Sequence, residues 1–237
     1  MANAPSQVFA AHLLAQFVAN GVDHIFVAPG ARSQALAIAA GQLSDAELVQ
    51  LHVRLDERSL GFQALGVGLA SGFPALVITT SGTAVANLHP AVLEAHHAGV
   101  PMILLTADRP AELRGVGANQ TTNQVGIFAD AVIDCIDVAA PAETDSDAVL
   151  SARAAELVEN SLGQVLLGNG PLQLNLGFRE PLSSATPSAS DVFKAIAAAQ
   201  LAEENPTGAI AIIGDECGPD CGHDHSAANS ADTVIDL

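Results

Sequence analysis

Residues 75–110 read ALVITTSGTAVANLHPAVLEAHHAGVPMILLTADRP, and this stretch decides the fold. Ala75 to Thr79 is a short apolar, β-branched run, which predicts a strand. A Ser81-Gly82-Thr83 turn follows, then a helix over Ala84 to Ala98 and a second apolar strand over Met102 to Leu105. Neither strand alternates polar with apolar residues. Near-continuous apolar strands separated by helices are the mark of a parallel sheet covered on both faces.

The same alternation extends in both directions. Upstream, Ser6 is placed to cap a helix carrying Phe9, Leu13, Leu14 and Phe17, which Asn20-Gly21 ends. His24 to Ala28 reads as a strand broken by Pro29-Gly30, with a helix from about Ser33. Val49 to Val53 is the next strand, and Glu57 to Ser71 a small-residue helix closed by Gly72. Downstream, a polar loop runs from Ala107 to about Asn123, followed by a strand over Ala131 to Val138, a helix over Ser146 to Ser161 and a strand over Leu172 to Leu176. The expected fold class is α/β. Its first domain, residues 1–183, closes near Pro181, and the Ser/Ala/Thr/Pro-rich stretch Leu182 to Ser190 reads as a linker. A helix over Val192 to Glu203 and a strand over Ala209 to Ile213 then look like the start of a second α/β domain within 184–237.

Composition narrows the function. Of 237 residues, 49% are hydrophobic and only 14% charged, which excludes a disordered chain. Asp and Glu number 26 against 8 Lys and Arg, a net charge of −18. Such a surface repels nucleic acid and anionic lipid. Three cysteines, an odd number, argue against a disulfide framework. The N-terminal MANAPSQVFAAHLLAQ has no basic segment and reads as an amphipathic helix rather than a signal peptide. No run approaches the about 18 apolar residues of a membrane span. The expectation is a cytoplasmic protein.

In a parallel sheet, ligands bind beyond the carboxyl ends of the strands. Here those loops are APGARS, LDERS, TTSGTA and TADRP. In the third, Gly82 permits close backbone approach while Ser81 and Thr83 offer hydroxyls at a helix N-terminus; the same residues also suit a plain helix cap. Glu57 and Asp56 lie at a strand-to-helix junction, where a carboxylate favours the helix dipole. In a closed apolar site, Glu57 would instead share a proton with a bound base. Arg32 and Arg109 each follow a strand. Arg suits bidentate carboxylate binding, and equally a surface ion pair. Asn119 and Gln120 lie in a Gly-rich loop; their amides suit carbonyls and hydroxyls on a ligand, or a turn. His96 and His97 are assigned no role. In the tail, Cys217, Cys221, His223 and His225 have the residue types of a zinc site at a compressed spacing, or form a loop.

Taken together, GVDHIFVAPGARS (21–33), LHVRLDERSLGFQALGVGLASG (51–72), the segment from TTSGTAVAN through GANQTTNQVGIF (79–128) and GPLQLNLGFREPL (170–182) resemble the N-terminal part of a known family. It is the thiamine-diphosphate-dependent 2-succinyl-5-enolpyruvyl-6-hydroxy-3-cyclohexene-1-carboxylate synthases of menaquinone biosynthesis. TSGTAVAN, TADRP-x-EL and GANQ, in that order, separate it from acetolactate synthases. The resemblance implies a pyrimidine-binding domain for thiamine diphosphate. It implies that Glu57 hydrogen-bonds N1′ of the aminopyrimidine and favours its imino tautomer. It implies that Ser81, Thr83 and Gln120 flank the cofactor, and that Arg32, Ser33, Arg109, Asn119 and Gln120 face isochorismate. The implied reaction decarboxylates 2-oxoglutarate and adds the resulting carbanion to isochorismate, in a homo-oligomer whose sites form between subunits.

Two departures accompany it. The family has Pro-Gly-Ser-Arg-Ser where this chain has Ala31, which removes one hydroxyl. The family also continues into a diphosphate domain with a Gly-Asp-Gly metal motif, whereas Gly214-Asp215 is followed by Glu216. The magnesium and diphosphate ligands are therefore expected on a domain missing from this chain, which would be inactive alone. A catalytically silent binding or assembly module of the same fold is the competing expectation; the retained Glu57 favours the enzyme.

Overall fold

The computed structural model describes residues 4–168, 170–184 and 187–204. Six strands, β1 (His24–Val27), β2 (Gln50–Val53), β3 (Ala75–Thr79), β4 (Met102–Asp108), β5 (Cys135–Val138) and β6 (Pro171–Gly177), form one sheet in the order β2-β1-β3-β4-β6-β5. All five pairings are parallel. Alternate residues feed two cores. Ile25, Val27, Leu76, Ile78, Ile103, Leu105, Leu172 and Leu174 pack beneath helices α1 (Pro5–Ala19), α2 (Gln34–Asp45) and α6 (Asp147–Gly168). Phe26, Val77, Met102 and Leu104 pack beneath α3 (Glu57–Ser71), α4 (Thr83–Asn87) and α5 (His89–Ala98). Each such aliphatic side chain taken from water contributes about 1.5–3 kcal/mol, so continuously apolar strands are used on both faces. Every residue of β3, β4 and β6 is buried.

The expected alternation of strands and helices is present, with local corrections. Ser6 does not cap α1: the helix begins at Pro5, whose missing N–H costs nothing at that position, and the Ser6 hydroxyl donates to the Arg179 carbonyl at 2.6 Å. The helix expected over 84–98 is two helices, because Pro90 cannot donate into a continuous ladder and sits instead in the first turn of α5. The strand expected over 131–138 begins only at Cys135. Ala129–Ala131 is a 3-10 turn, and Ala131 and Val132 owe their apolar character to packing with Phe128 rather than to strand pairing. β2 is not buried throughout, because it pairs with β1 alone and its end residues face solvent. α6 runs beyond Ser161 to Gly168.

The helix α7 (Ala189–Glu204) packs on α1 and α2, with Val192 and Phe193 against the first core and the Ala189 amide donating to Gln42 Oε1 at 2.9 Å. The strand expected at 209–213 and the Cys217/Cys221/His223/His225 cluster lie outside the described residues.

The topology positions the ligand edge. The chain leaves β1 toward β2 on one side and resumes at β3 on the other, so the strand order reverses between β1 and β3. Ligand crevices of parallel sheets open at such a switch point. The β1–α2 and β3–α4 loops flank it. They approach so closely that a Cβ on Gly30 would lie 2.3 Å from Thr80 Cβ.

Candidate active site at the sheet's carboxyl edge

Ser81, Arg109 and Gln120 meet beyond the ends of β3 and β4. The Ser81 hydroxyl accepts from Arg109 Nη1 and donates to the Gln120 carbonyl at 3.0 Å. The same Arg109 nitrogen reaches that carbonyl at 3.1 Å, and Gln120 Nε2 donates back to the Ser81 carbonyl at 3.1 Å. Gln120 holds a left-handed φ of 52°. A non-glycine residue there carries about 1–3 kcal/mol of strain and persists where its surroundings fix it, as the bonds on both sides of Gln120 do here. Gly82 has φ 85°, and a Cβ on it would meet the Gln120 carbonyl oxygen at 3.0 Å. Glycine is therefore required at that turn.

Arg32 is only 8% exposed. Its Nη1 donates to the Phe178 carbonyl at 3.0 Å, Nη2 lies 3.7 Å from Glu180, and the buried Nε has no partner among the described residues. Burial first, then the charge of Arg109, pushes the Arg32 guanidinium below its ordinary pKa, with Glu180 and Asp108 acting the other way. Two guanidinium groups within each other's field, on a chain of net charge −18, focus positive potential at one edge. The Thr80 hydroxyl is also buried and unpartnered. Unclaimed buried donors beside two cations suit an anionic, oxygen-rich ligand.

The other expected residues take different places. Ser33 is fully buried, and its hydroxyl donates to the Gly30 carbonyl at 3.1 Å. Asn119 is exposed and Thr83 begins α4 in an exposed position. Ala31 is exposed, so the missing family hydroxyl would have stood at the surface of this turn. Glu57 opens α3 immediately after Asp56, whose carboxylate caps the helix by accepting from the Ser59 amide at 2.9 Å. With Asp56 capping, Glu57 is left for another use. It is half-buried; Asn87 Nδ2 holds its Oε2 at 3.0 Å, and Oε1 has no partner among the described residues. The short helix α4 carries the link: Gly82 and Thr83 at its start adjoin the Ser81 cluster, and Asn87 at its end touches Glu57. Five helical residues span about 7 Å, which brings Glu57 to the same edge as Ser81.

Sequence reasoning missed Asn87 and the buried polar layer under the loop. Gln124, Asn175 and Asp108 are each 1% exposed or less. Asp108 accepts from the Arg109 amide at 2.7 Å, from Asn175 Nδ2 at 2.9 Å and from Arg114 Nε at 3.0 Å. Arg114 also makes a bidentate pair with Asp137 at 2.8 and 3.0 Å. Burial opposes ionisation of Asp137, yet the hydrogen bonds from Arg114 and Asn175 prevail and hold its carboxyl below the usual range. The signal lay in β6: PLQLNLG puts Gln173 and Asn175 on one face and the leucines on the other. A cavity of about 540 Å³ lies beside this layer, lined by Asp108, Arg114 and the 115–125 loop.

No group of three or more His, Cys, Asp or Glu residues is arranged for a metal ion among the described residues, and no helix there is long and apolar enough to cross a membrane.

Comparison with known proteins identifies the family. Residues 8–127 match the family described as thiamine pyrophosphate enzyme, N-terminal TPP binding domain. The chain is 55% identical over 184 residues to the 2-succinyl-5-enolpyruvyl-6-hydroxy-3-cyclohexene-1-carboxylate synthase of Leifsonia xyli subsp. xyli, covering 77% of this chain and 31% of that protein. It is 52% identical over 195 residues to the synthase of Clavibacter michiganensis subsp. michiganensis, covering 82% and 32%. The Nocardioides sp. synthase is 43% identical over 216 residues, covering 89% and 36%. The chain thus spans about a third of the length of the curated relatives it matches.

Proposed function

The chain belongs to the thiamine pyrophosphate enzymes, whose N-terminal TPP binding domain it carries, and from that premise we propose that it forms the pyrimidine-binding part of a 2-succinyl-5-enolpyruvyl-6-hydroxy-3-cyclohexene-1-carboxylate synthase. The observation that carries this reading is the joining of Glu57, through Asn87 and α4, to a cluster of Ser81, Arg109 and Gln120 at one sheet edge. A carboxylate suited to a cofactor base and a cationic patch suited to acidic substrates stand side by side.

The residues present fit thiamine diphosphate. Glu57 Oε1 is unclaimed among the described residues and can hold a proton shared with N1′ of an aminopyrimidine, while Asn87 fixes the other oxygen and the rotamer. The bound cofactor supplies the electron sink for decarboxylation of a 2-oxo acid. Arg32 and Arg109 orient carboxylates of isochorismate, with Asn119 and the Gln120 side chain at the rim. Arg109 keeps Ser81 and the strained Gln120 in place. 2-Oxoglutarate is the decarboxylated substrate of this reading. Magnesium is expected to accompany the diphosphate. Cytoplasmic location follows from the same assignment.

A second copy of the chain is the partner proposed. Ser59, Phe62, Gln63, Gly66, Leu69 and Ala70 form one outward stripe of α3 without a charge, with Leu69 68% exposed and nothing within 4 Å of the Gly66 Cβ position. On so acidic a chain an uncharged face is where two copies meet without repulsion.

The test is calorimetric titration of the 237-residue chain with isochorismate, with 2-oxoglutarate, and with thiamine diphosphate plus magnesium. Isochorismate binding that Arg109→Ala removes is the expected result. Failure of isochorismate to bind at millimolar concentration would overturn the substrate assignment.

A further inference from the structure

Beneath the site runs an unbroken chain of hydrogen bonds, and two buried amide side chains, Gln124 and Asn175, link its ends. Gln124 Oε1 accepts from the Gly82 amide at 2.9 Å. Its Nε2 donates to the Ala107 carbonyl at 3.2 Å and to Asn175 Oδ1 at 2.9 Å. Asn175 Nδ2 then donates to Asp108 at 2.9 Å and to Asp137 at 2.9 Å. Asp108 closes the circuit by accepting from the Arg109 amide.

The direction of every bond in this chain is dictated. At one end stands a backbone N–H, which only donates; at the other stand two carboxylates, which accept from Asn175. Turning either amide would set donor against donor at Gly82 or oxygen against carboxylate at Asp108. Residue 124 must therefore supply one acceptor and two donors at once, and among the side chains of that length only Gln does so. Its own backbone is anchored as well, since Gln173 Nε2 donates to the Gln124 carbonyl at 3.2 Å.

We propose that Gln124 is the positioning residue of this site: it locks the β3–α4 turn and the 115–125 loop to the end of β4, so that Ser81, Arg109 and Gln120 are presented to the anionic substrate as one unit. The ligand in this proposal rests on the function proposed above; the locking of the turn does not. Gln124 touches no substrate and acts through Gly82, Ala107 and Asn175.

The experiment uses the full 237-residue chain and three variants. Gln124→Met keeps the volume and loses all three bonds. Gln124→Glu is isosteric, loses both donors and serves if the methionine variant does not fold. Leu162→Ala, buried in the opposite core on α6, gives a comparable loss of thermal stability without touching the layer. Amide hydrogen exchange is read at Gly82 and isochorismate affinity by calorimetry. In Gln124→Met, Gly82 exchange rises about tenfold or more while Val77 and Leu104 stay slow, and isochorismate binds about tenfold or more weakly. Leu162→Ala changes neither. Unchanged Gly82 exchange, faster exchange with unchanged affinity, or equal losses in Leu162→Ala would each overturn the proposal. If the unmodified chain does not bind isochorismate, the substrate assignment falls, and Gly82 exchange against the Leu162→Ala control decides the positioning role alone.

Discussion

Gly30 and Thr80 touch across the topological switch point: a Cβ built on Gly30 would lie 2.3 Å from Thr80 Cβ and 2.6 Å from its hydroxyl oxygen. The contact joins the loop carrying Arg32 to the turn carrying Ser81. Neither side yields easily, since Thr80 is buried and Arg32 is held to the Phe178 carbonyl. Gly30→Ala therefore overpacks the loop junction, at a cost of about 1–3 kcal/mol. Differential scanning calorimetry should show a melting point lower by roughly 2–4 °C for each kcal/mol in a chain of this size. An unchanged melting point would contradict the close approach.

Glu57→Gln separates chemistry from stability. Glu57 is half-buried and does not cap its helix, because Asp56 does. The substitution should leave the melting curve within about 0.5 kcal/mol of the original. In an enzyme long enough to carry the whole reaction, the same change should abolish decarboxylation of 2-oxoglutarate, since an amide cannot hold the shared proton. Carbon dioxide release near the normal rate would sink the role given to Glu57.

Arg32 and Arg109 should answer differently to truncation. Arg32 is buried and satisfies the Phe178 carbonyl, so Arg32→Ala strands a buried acceptor and costs about 1–3 kcal/mol of stability besides affinity. Arg109 is half-buried and holds Ser81 and Gln120 through Nη1 alone, so Arg109→Lys spares the fold but loses the remaining guanidinium N–H groups that a carboxylate would accept from in parallel. Isochorismate affinity should fall about tenfold or more in both, while thermal denaturation moves chiefly in Arg32→Ala. Equal melting points for the two variants would contradict this division.

These outcomes follow how legible each part was in the sequence. The strands β1, β3 and β4 could be read directly, because burial on both faces leaves an apolar run bounded by Gly and Pro. β2 is an edge, so its run is less apolar, and Ala131–Val132 is apolar for packing without being a strand. The candidate site residues Arg32, Ser81 and Arg109 were legible because they follow strand ends in a parallel sheet. That Asp56 rather than Glu57 caps α3, and that Asn87 reaches back to Glu57, depends on side-chain geometry that spacing does not encode. The Gln124 layer was visible only as an alternation in β6, and the partners of Gln124 lie 17 to 51 residues away in sequence.

The edge of the sheet also carries a pH response. His52 on β2 stacks on Phe26 with ring centroids 4.4 Å apart, and its Nε2 lies 3.1 Å from His24 Nδ1. Burial first, then the neighbouring His24 and Arg54, lowers the His52 pKa below its ordinary value, and Asp23 lies 3.9 Å from the far nitrogen of His24. The folded chain thus binds a proton on His52 less readily than the unfolded chain, whose histidine titrates near about 6.5. The stability contributed by this difference is fully present above that pH and drains away as the pH falls through the lower folded value. His52→Gln removes the titration while keeping a polar side chain of similar reach. Between pH 7.5 and 5.5 (assay settings of about these values), the melting point of the unmodified chain should therefore fall more steeply than that of His52→Gln. Parallel slopes for the two proteins would mean that the imidazole at position 52 is as easily protonated in the folded chain as in the unfolded one.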